Sequence, residues 1–156
     1  LVLNECNNTH VTIEIRDLDG ENLHIDFIEK GQTSARKYNL KNLPNGKYKI
    51  IIEGGSKKSI NTFQVDFDEV KMFSENEQVI YKPNVNEAGK YIDLNYLAQG
   101  DDVRVSIVDD SGEVFSKEYN DMVTINKRFD VSSLPKGEYV FIVDADNQYF
   151  TKRFRK

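Results

Sequence analysis

An internal repeat written in a two-residue rhythm constrains this chain more than any other feature. The run Val11-Thr12-Ile13-Glu14-Ile15-Arg16-Asp17-Leu18-Asp19-Gly20-Glu21 is answered by Val103-Arg104-Val105-Ser106-Ile107-Val108-Asp109-Asp110-Ser111-Gly112-Glu113, at an offset of 92 (103 minus 11). Tyr38-Asn39-Leu40-Lys41-Asn42-Leu43-Pro44-Asn45-Gly46-Lys47-Tyr48 is answered by Phe129-Asp130-Val131-Ser132-Ser133-Leu134-Pro135-Lys136-Gly137-Glu138-Tyr139, at an offset of 91 (129 minus 38). The copies therefore differ by one residue in a loop between the two blocks. Val11, Ile13 and Ile15 alternate with polar residues, as do Ile92, Leu94 and Tyr96. A period of two places one side-chain set inward and the other in water, which is the pattern of a half-buried strand.

These patterns predict an all-β chain of two tandem immunoglobulin-like or fibronectin-like Greek-key β-sandwich modules, 1–74 and 75–156, produced by duplication. Expected strands lie near 10–17, 22–28, 34–40, 47–53 and 58–67 in the first module. In the second they lie near 77–82, 90–97, 102–109, 113–119, 123–131, 138–144 and 148–155. Turn residues separate them at Leu18-Asp19-Gly20, Gly54-Gly55-Ser56, Asp110-Ser111-Gly112 and Asp144-Ala145-Asp146-Asn147, and the polar stretch Ser74-Glu75-Asn76-Glu77-Gln78 reads as the linker. Few residues precede Val11, so either the first module is a smaller sandwich or Val70-Lys71-Met72-Phe73 supplies its vacant strand and joins the modules.

The twice-used Leu-Pro-x-Gly-x-Tyr is the sharpest structural motif: Leu43, Pro44, Gly46 and Tyr48, then Leu134, Pro135, Gly137 and Tyr139. Proline presets φ early in a turn, glycine suits its end, and the flanking leucine and tyrosine can both turn inward. The spacing resembles the tyrosine corner of Greek-key sandwiches, in which a tyrosine opening a strand bonds back to the preceding backbone.

Composition narrows the function classes. A net charge of −5 disfavours nucleic acid as a partner, and no apolar run reaches the roughly 20 residues of a membrane span. Cys6 is the only cysteine, which excludes an intrachain disulfide and a multi-thiolate metal site. The chain starts at Leu1 rather than methionine, which suggests a processed or trimmed N-terminus. Asn7-Asn8-Thr9 reads as a chance glycosylation match. Asp17-Leu18-Asp19-Gly20-Glu21 opens like a calcium loop but lacks the remaining oxygen ligands, so a hairpin turn is the better reading, as it is for Asp144 and Asp146. Cys6, His10 and His24 have no counterparts in the second copy, and Gly54-Gly55-Ser56-Lys57 lacks half of a phosphate loop. No catalytic group, metal or cofactor is expected.

The second module resembles the type A C-terminal sorting domain of the type IX secretion system found in Bacteroidetes. The resemblance rests on Tyr81-Lys82-Pro83-Asn84, on Val103-x-Val105-x-Ile107-x-Asp109-x-x-Gly112, on the corner block from Phe129 to Tyr139, and on the terminal Thr151-Lys152-Arg153-Phe154-x-Lys156. It implies a seven-stranded sandwich recognised at the outer membrane, and an exported protein of the cell surface, extracellular space or periplasm. The basic end formed by Lys152, Arg153, Arg155 and Lys156 is then a candidate binding element, with secretion machinery or another protein as partner. A second candidate comes from comparing outward positions. Arg16 and Lys49, beside Ile51, become Val108 and Val140, beside Ile142, so these three are expected to form an apolar patch covered by the first module, a dimer mate or a binding partner. The expected function is non-enzymatic binding or presentation by an exported protein with a sorting-like C-terminal module. The alternative is an adhesion or assembly protein with no sorting role.

Overall fold

A computed structural model describes residues 9–31, 36–40, 42–67, 69–145 and 148–156, all of whose regular elements are strands. The chain divides into two compact units, Leu1–Ile80 and Tyr81–Lys156.

In the first unit, β1 (Val11–Asp17), β2 (Asn22–Ile28), β3 (Gly46–Glu53), β4 (Lys57–Asp66) and β5 (Glu69–Tyr81) form one sheet in the order β2-β1-β3-β4-β5. Alternation decides its faces: Val11, Ile13 and Ile15 of β1 meet Tyr48 and Ile50 of β3 and Phe63 and Val65 of β4 on the buried side. Tyr38, Leu40 and Leu43 pack against that side from the segment that leads into β3. The expected strand at 34–40 does not form over its described part, 36–40. Side chains tie this segment to β2: Arg36 Nε and Tyr38 Oη each donate to Asp26 Oδ2 at 2.9 Å.

β5 corrects two further expectations. Val70–Phe73 occupies no vacancy ahead of β1; it runs beside β4 and widens the existing sheet. Residues 74–78, expected as a linker, belong to the same strand. Glu75, Asn76, Glu77 and Gln78 are exposed, so their polarity is compatible with a solvated edge strand, and Asn61 Nδ2 donates to Glu77 Oε1 across it at 3.3 Å.

The second unit has two sheets. β6 (Asn84–Ala88), β7 (Tyr91–Leu97) and β10 (Thr124–Asp130) form one, in the order β10-β7-β6. β8 (Val103–Asp109), β9 (Gly112–Tyr119), β11 (Glu138–Ala145) and β12 (Gln148–Arg155) form the other, in the order β12-β11-β8-β9. Every pairing is antiparallel, and Ile92, Leu94 and Ile125 meet Val103, Val105, Phe141 and Val143 in the core between them. This is the expected Greek-key sandwich. The strand predicted at 77–82 is the end of β5, whereas β6, with Val85 as its one large apolar residue, carried no alternation to announce it. Asp146 and Asn147 lie outside the described residues, as does Cys6.

Candidate functional site

The four-stranded sheet of the second unit and the first four strands of the first are built alike, down to their irregularities. β1 pairs with β2 through Ile15 opposite His24 and then slips at Arg16 opposite Asn22. β8 pairs with β9 through Ile107 opposite Phe115 and slips at the matching place, Val108 opposite Glu113. The slips leave Leu23 and Val114 as matching bulged residues, both exposed. Between Asp17 and Asn22 lie four residues and between Asp109 and Glu113 three, so the one-residue difference between the copies sits in this turn. Its aspartates are engaged in the turn itself: Glu21 N donates to Asp17 Oδ1 at 2.8 Å, and Ser111 N and Oγ donate to Asp109 Oδ1 at 2.8 and 2.6 Å. Ser111 holds the Asp109 carboxyl below the usual range, first through its hydroxyl and then through its amide.

The corners also match. Tyr48 Oη donates to the Pro44 carbonyl at 2.7 Å and Tyr139 Oη to the Pro135 carbonyl at 3.0 Å, and the two rings are 6% and 3% exposed. Leu43 N bonds to Leu40 O, and Leu134 N to Val131 O, closing the same turn. Tyr48 stacks on Phe63 and Tyr139 on Phe154, with both pairs of centroids 5.4 Å apart. A buried hydroxyl with a carbonyl acceptor avoids the cost of an unsatisfied polar group, which explains why tyrosine rather than phenylalanine opens β3 and β11.

Shared geometry cannot distinguish the copies; the side chains around it do. Because Tyr139 pairs with Phe154 and Tyr48 with Phe63, β12 and β4 correspond at an offset of 91 (154 minus 63). Lys152, Arg153, Arg155 and Lys156 therefore stand where the first unit has Asn61, Thr62, Gln64 and Val65. The alternation of β12 divides them. Arg153 and Arg155 lie on the outward face, beside Val140 and Glu138 of β11, while Lys152 lies on the inward side and reaches Glu87 of β6 at 3.9 Å. The backbone of Lys156 continues the ladder by exchanging two hydrogen bonds with Gly137.

Val140 sits between Arg153 and Val108, and Ile142 between Thr151 and Ser106. Val108, Val140 and Ile142 are contiguous and half-buried on the outward face. Next to them Arg104 forks onto both oxygens of Glu113, at 3.0 and 2.9 Å, spanning the Ser106 row. That clamp, which raises the Arg104 pKa through Glu113, was not anticipated from the sequence. At one end of this face an open depression of about 650 Å³ has Val108 and Val140 in its lining, with Arg153 and Arg155 and four carboxylates, Glu87, Asp109, Asp110 and Glu138, around them. Neither arginine has an acidic partner among the described residues.

On the corresponding face of the first unit, Arg16 is tied to Glu14, and Lys49 replaces Val140. The second copy is the more apolar in that row alone; in the next row the difference is reversed, Ile25 and Ile60 standing where the second copy has Ser116 and Thr151. One step along, Ile25 of β2, Ile51 of β3 and Ile60 of β4 share the outward face, and Phe27 beside them is 68% exposed. The strand register, invisible in the linear sequence, sets Ile51 beside Ile60, while Glu14 of β1 stands between Ile51 and Ile25.

Of the residues weighed for catalysis, His10 and His24 have separate surroundings. His10 Nδ1 lies 3.0 Å from Glu29, and His24 meets the ring of Tyr38 edge-on at 5.3 Å. Among the described residues no group of three or more His, Cys, Asp or Glu side chains is placed to hold a metal ion, and no helix is long and apolar enough to cross a membrane.

Fold and surface thus define a chain of duplicated β modules whose second copy is a corner-closed sandwich with a basic terminal strand. The family described as "Secretion system C-terminal sorting domain" matches residues 2–66 and 80–156, so both copies are covered and the chain belongs to this type IX secretion sorting family. It is the product of an exported, cell-surface system. No curated sequence matches it. Among solved structures, "Biofilm associated protein - BSP domain" aligns at 17% identity and a TM-score of 0.33, over 98% of this chain and 25% of that one. The chain spans about a quarter of that structure.

Proposed function

We propose that the second unit acts as the sorting signal of a non-enzymatic surface protein, read through the outward face of β11 and β12, and that the first unit is a copy that no longer carries this signal and is presented with the cargo. The observation that carries the reading is the pairing of Arg153 and Arg155 with an apolar floor, Val108 and Val140, in the second copy alone. Edge protection accounts for cations on β12, because β4 is covered by β5 whereas β12 ends its sheet. It gives no reason for valines to replace Arg16 and Lys49 next to those cations. Guanidiniums and carboxylates around an apolar centre suit a protein partner that offers charges of both signs around an apolar contact, with its carboxylates on Arg153 and Arg155.

Deleting the last five residues would be a poor test, since Phe154 stacks on Tyr139 and belongs to the core. The better variant gives β12 the first copy's residues, Arg153→Thr with Arg155→Gln. A reporter fused ahead of the full chain in a type IX-competent host should lose most of its export while the thermal midpoint holds. Undiminished export would remove the sorting role. The exposed row of Ile25 and Phe27 on the first unit favours the second reading, an adhesion or assembly protein, in which case substitutions there would abolish association and leave export alone.

A further inference from the structure

Register reveals an exchange of charge that the aligned repeats conceal. On the inward side of the first unit, Asp26 of β2 lies opposite Ile13, and Arg36 and Tyr38 come across from the segment leading to β3 to bond its carboxylate. The clamp ties the edge strand to the layer beside it. In the second unit the residue opposite Val105, the counterpart of Ile13, is Lys117. The counterpart of Arg36, at the offset of 91, is Lys127 of β10 (127 minus 36). A salt bridge in one copy is thus replaced by two lysines in the other. The surrounding aromatics are retained in arrangement: His24 meets Tyr38 edge-on at 5.3 Å, and Phe115 meets Phe129 edge-on at 5.7 Å.

The space beside the lysines is open. A cleft of about 410 Å³ runs between β9 and β10 at the side of the sandwich, with Ile107, Phe115, Phe129 and Leu134 in its walls and Lys117 and Lys127 along it. Phe115 is 36% exposed. Lys117 rests 5.5 Å from the centre of the Tyr119 ring, and neither lysine has a carboxylate partner among the described residues. β9 and β10 each end their sheets, so both present unpaired backbone groups to the cleft.

We propose that this cleft docks an extended segment of a partner protein carrying an apolar side chain and a carboxylate two residues apart, the carboxylate lying between Lys117 and Lys127 and restoring the acid–base pairing that Asp26 and Arg36 make in the first copy. The chemistry follows from the strand. Phe115 and Lys117 lie on one side of β9, two residues apart, so a segment adding to this edge sends its own alternate side chains to them. An apolar one fills the aromatic wall, and an acidic one pairs with Lys117 and Lys127. The site lies on the opposite edge of the sheet from β12 and is independent of the sorting face.

The test uses the full chain, labelled for NMR, and three synthetic peptides. The first is Thr-Phe-Thr-Glu-Thr-Val-Thr; the second has Lys in place of Glu; the third moves Glu next to Phe, onto the other face of the strand. The first peptide should shift the amides of β9 and β10 around Phe115, Lys117, Lys127 and Phe129, with affinity falling as salt rises, and the other two should bind about tenfold or more weakly. Lys117→Asp, which restores an acid–base pair with Lys127, should close the cleft and weaken binding by a similar factor with the thermal midpoint kept. Lys127→Gln should weaken it several-fold if the first variant fails to fold. Equal binding of the three peptides, shifts confined to other surfaces, no binding of the first peptide, or undiminished affinity in a folded lysine variant would overturn the proposal.

Discussion

The first and second units share a sheet and differ in what surrounds it. β1 to β4 and their counterparts β8, β9, β11 and β12 keep the same order, the same bulge after Ile15 and Ile107, and the same corner beneath Tyr48 and Tyr139. Around that sheet, the second unit adds β6, β7 and β10 as a facing layer, while the first is widened by β5 and faced by Tyr38, Leu40 and Leu43. Buried contacts tolerate little change, because a mismatch in the core costs packing energy at once. Positions outside the core are freer to change charge. That is where Asp26 gives way to Lys117, and Thr62 and Gln64 to Arg153 and Arg155. After duplication, divergence concentrated where solvent rather than packing set the constraint.

The strongest way to break this comparison is to attack the shared core. Phe63→Ala and Phe154→Ala should each cost roughly 3–5 kcal/mol by chemical denaturation, because each removes a buried ring that stacks on the corner tyrosine. A small cost in either copy would mean that the two corners are alike in outline only.

The next effect belongs to the first unit alone. Tyr38, then Arg36, holds the Asp26 carboxyl below its ordinary range, and burial with the Asp26 carboxylate pushes the Tyr38 hydroxyl up. A depressed carboxyl stabilises the fold above its unfolded pKa, near ~4, and that stability is lost as pH falls through the lower folded value. Asp26→Asn should therefore cost about 1–2 kcal/mol at neutral pH and progressively less as the pH falls below ~4, the partial exposure of the pair keeping the figure modest. Acid titrations of parent and variant, followed by NMR signals of β1, check it. A constant difference across that range would show that the pairing contributes nothing electrostatic.

Tyr48→Phe and Tyr139→Phe should each cost about 1 kcal/mol, as expected for one lost hydrogen bond to a backbone carbonyl. The comparison sharpens if the costs agree. The smallest effect is expected for Val108→Arg with Val140→Lys, which transplants the first copy's residues onto the outward face. The fold should be kept at a cost of about 0.2–1 kcal/mol, since the two new cations stand in one row with Arg153, while capture of a protein partner by that face should weaken. A double variant that matches the parent in every such assay would leave the patch without a role.

Much of this was legible in the sequence, for identifiable reasons. Val11, Ile13 and Ile15 bury alternate side chains and so advertise a strand. The Leu-Pro-x-Gly-x-Tyr spacing specifies a turn chemistry that admits few geometries. β6 and the middle of β5, around Glu75 and Asn76, were not legible, because strands whose side chains largely face water need no apolar alternation. The segment 36–40 erred in the other direction: Tyr38 and Leu40 alternate like strand residues because they cover a core, yet no strand forms over them. The basic end was visible, but its division between an outward arginine pair and an inward lysine needed the register of β12. The cleft was the hardest to read. Its charge exchange becomes apparent only when the bulge brings Lys117 into line with Asp26.

The most direct measurement of the central claim, that the second copy carries the sorting signal on a scaffold both copies share, is export of a reporter fused ahead of the full chain with matched substitutions in each copy. Arg153→Ala with Arg155→Ala should reduce export about tenfold or more, as expected when two charge-assisted contacts are lost. Thr62→Ala with Gln64→Ala, at the corresponding positions of β4, should leave it at the parental level. Equal export from the two variants, both folded, would contradict the account.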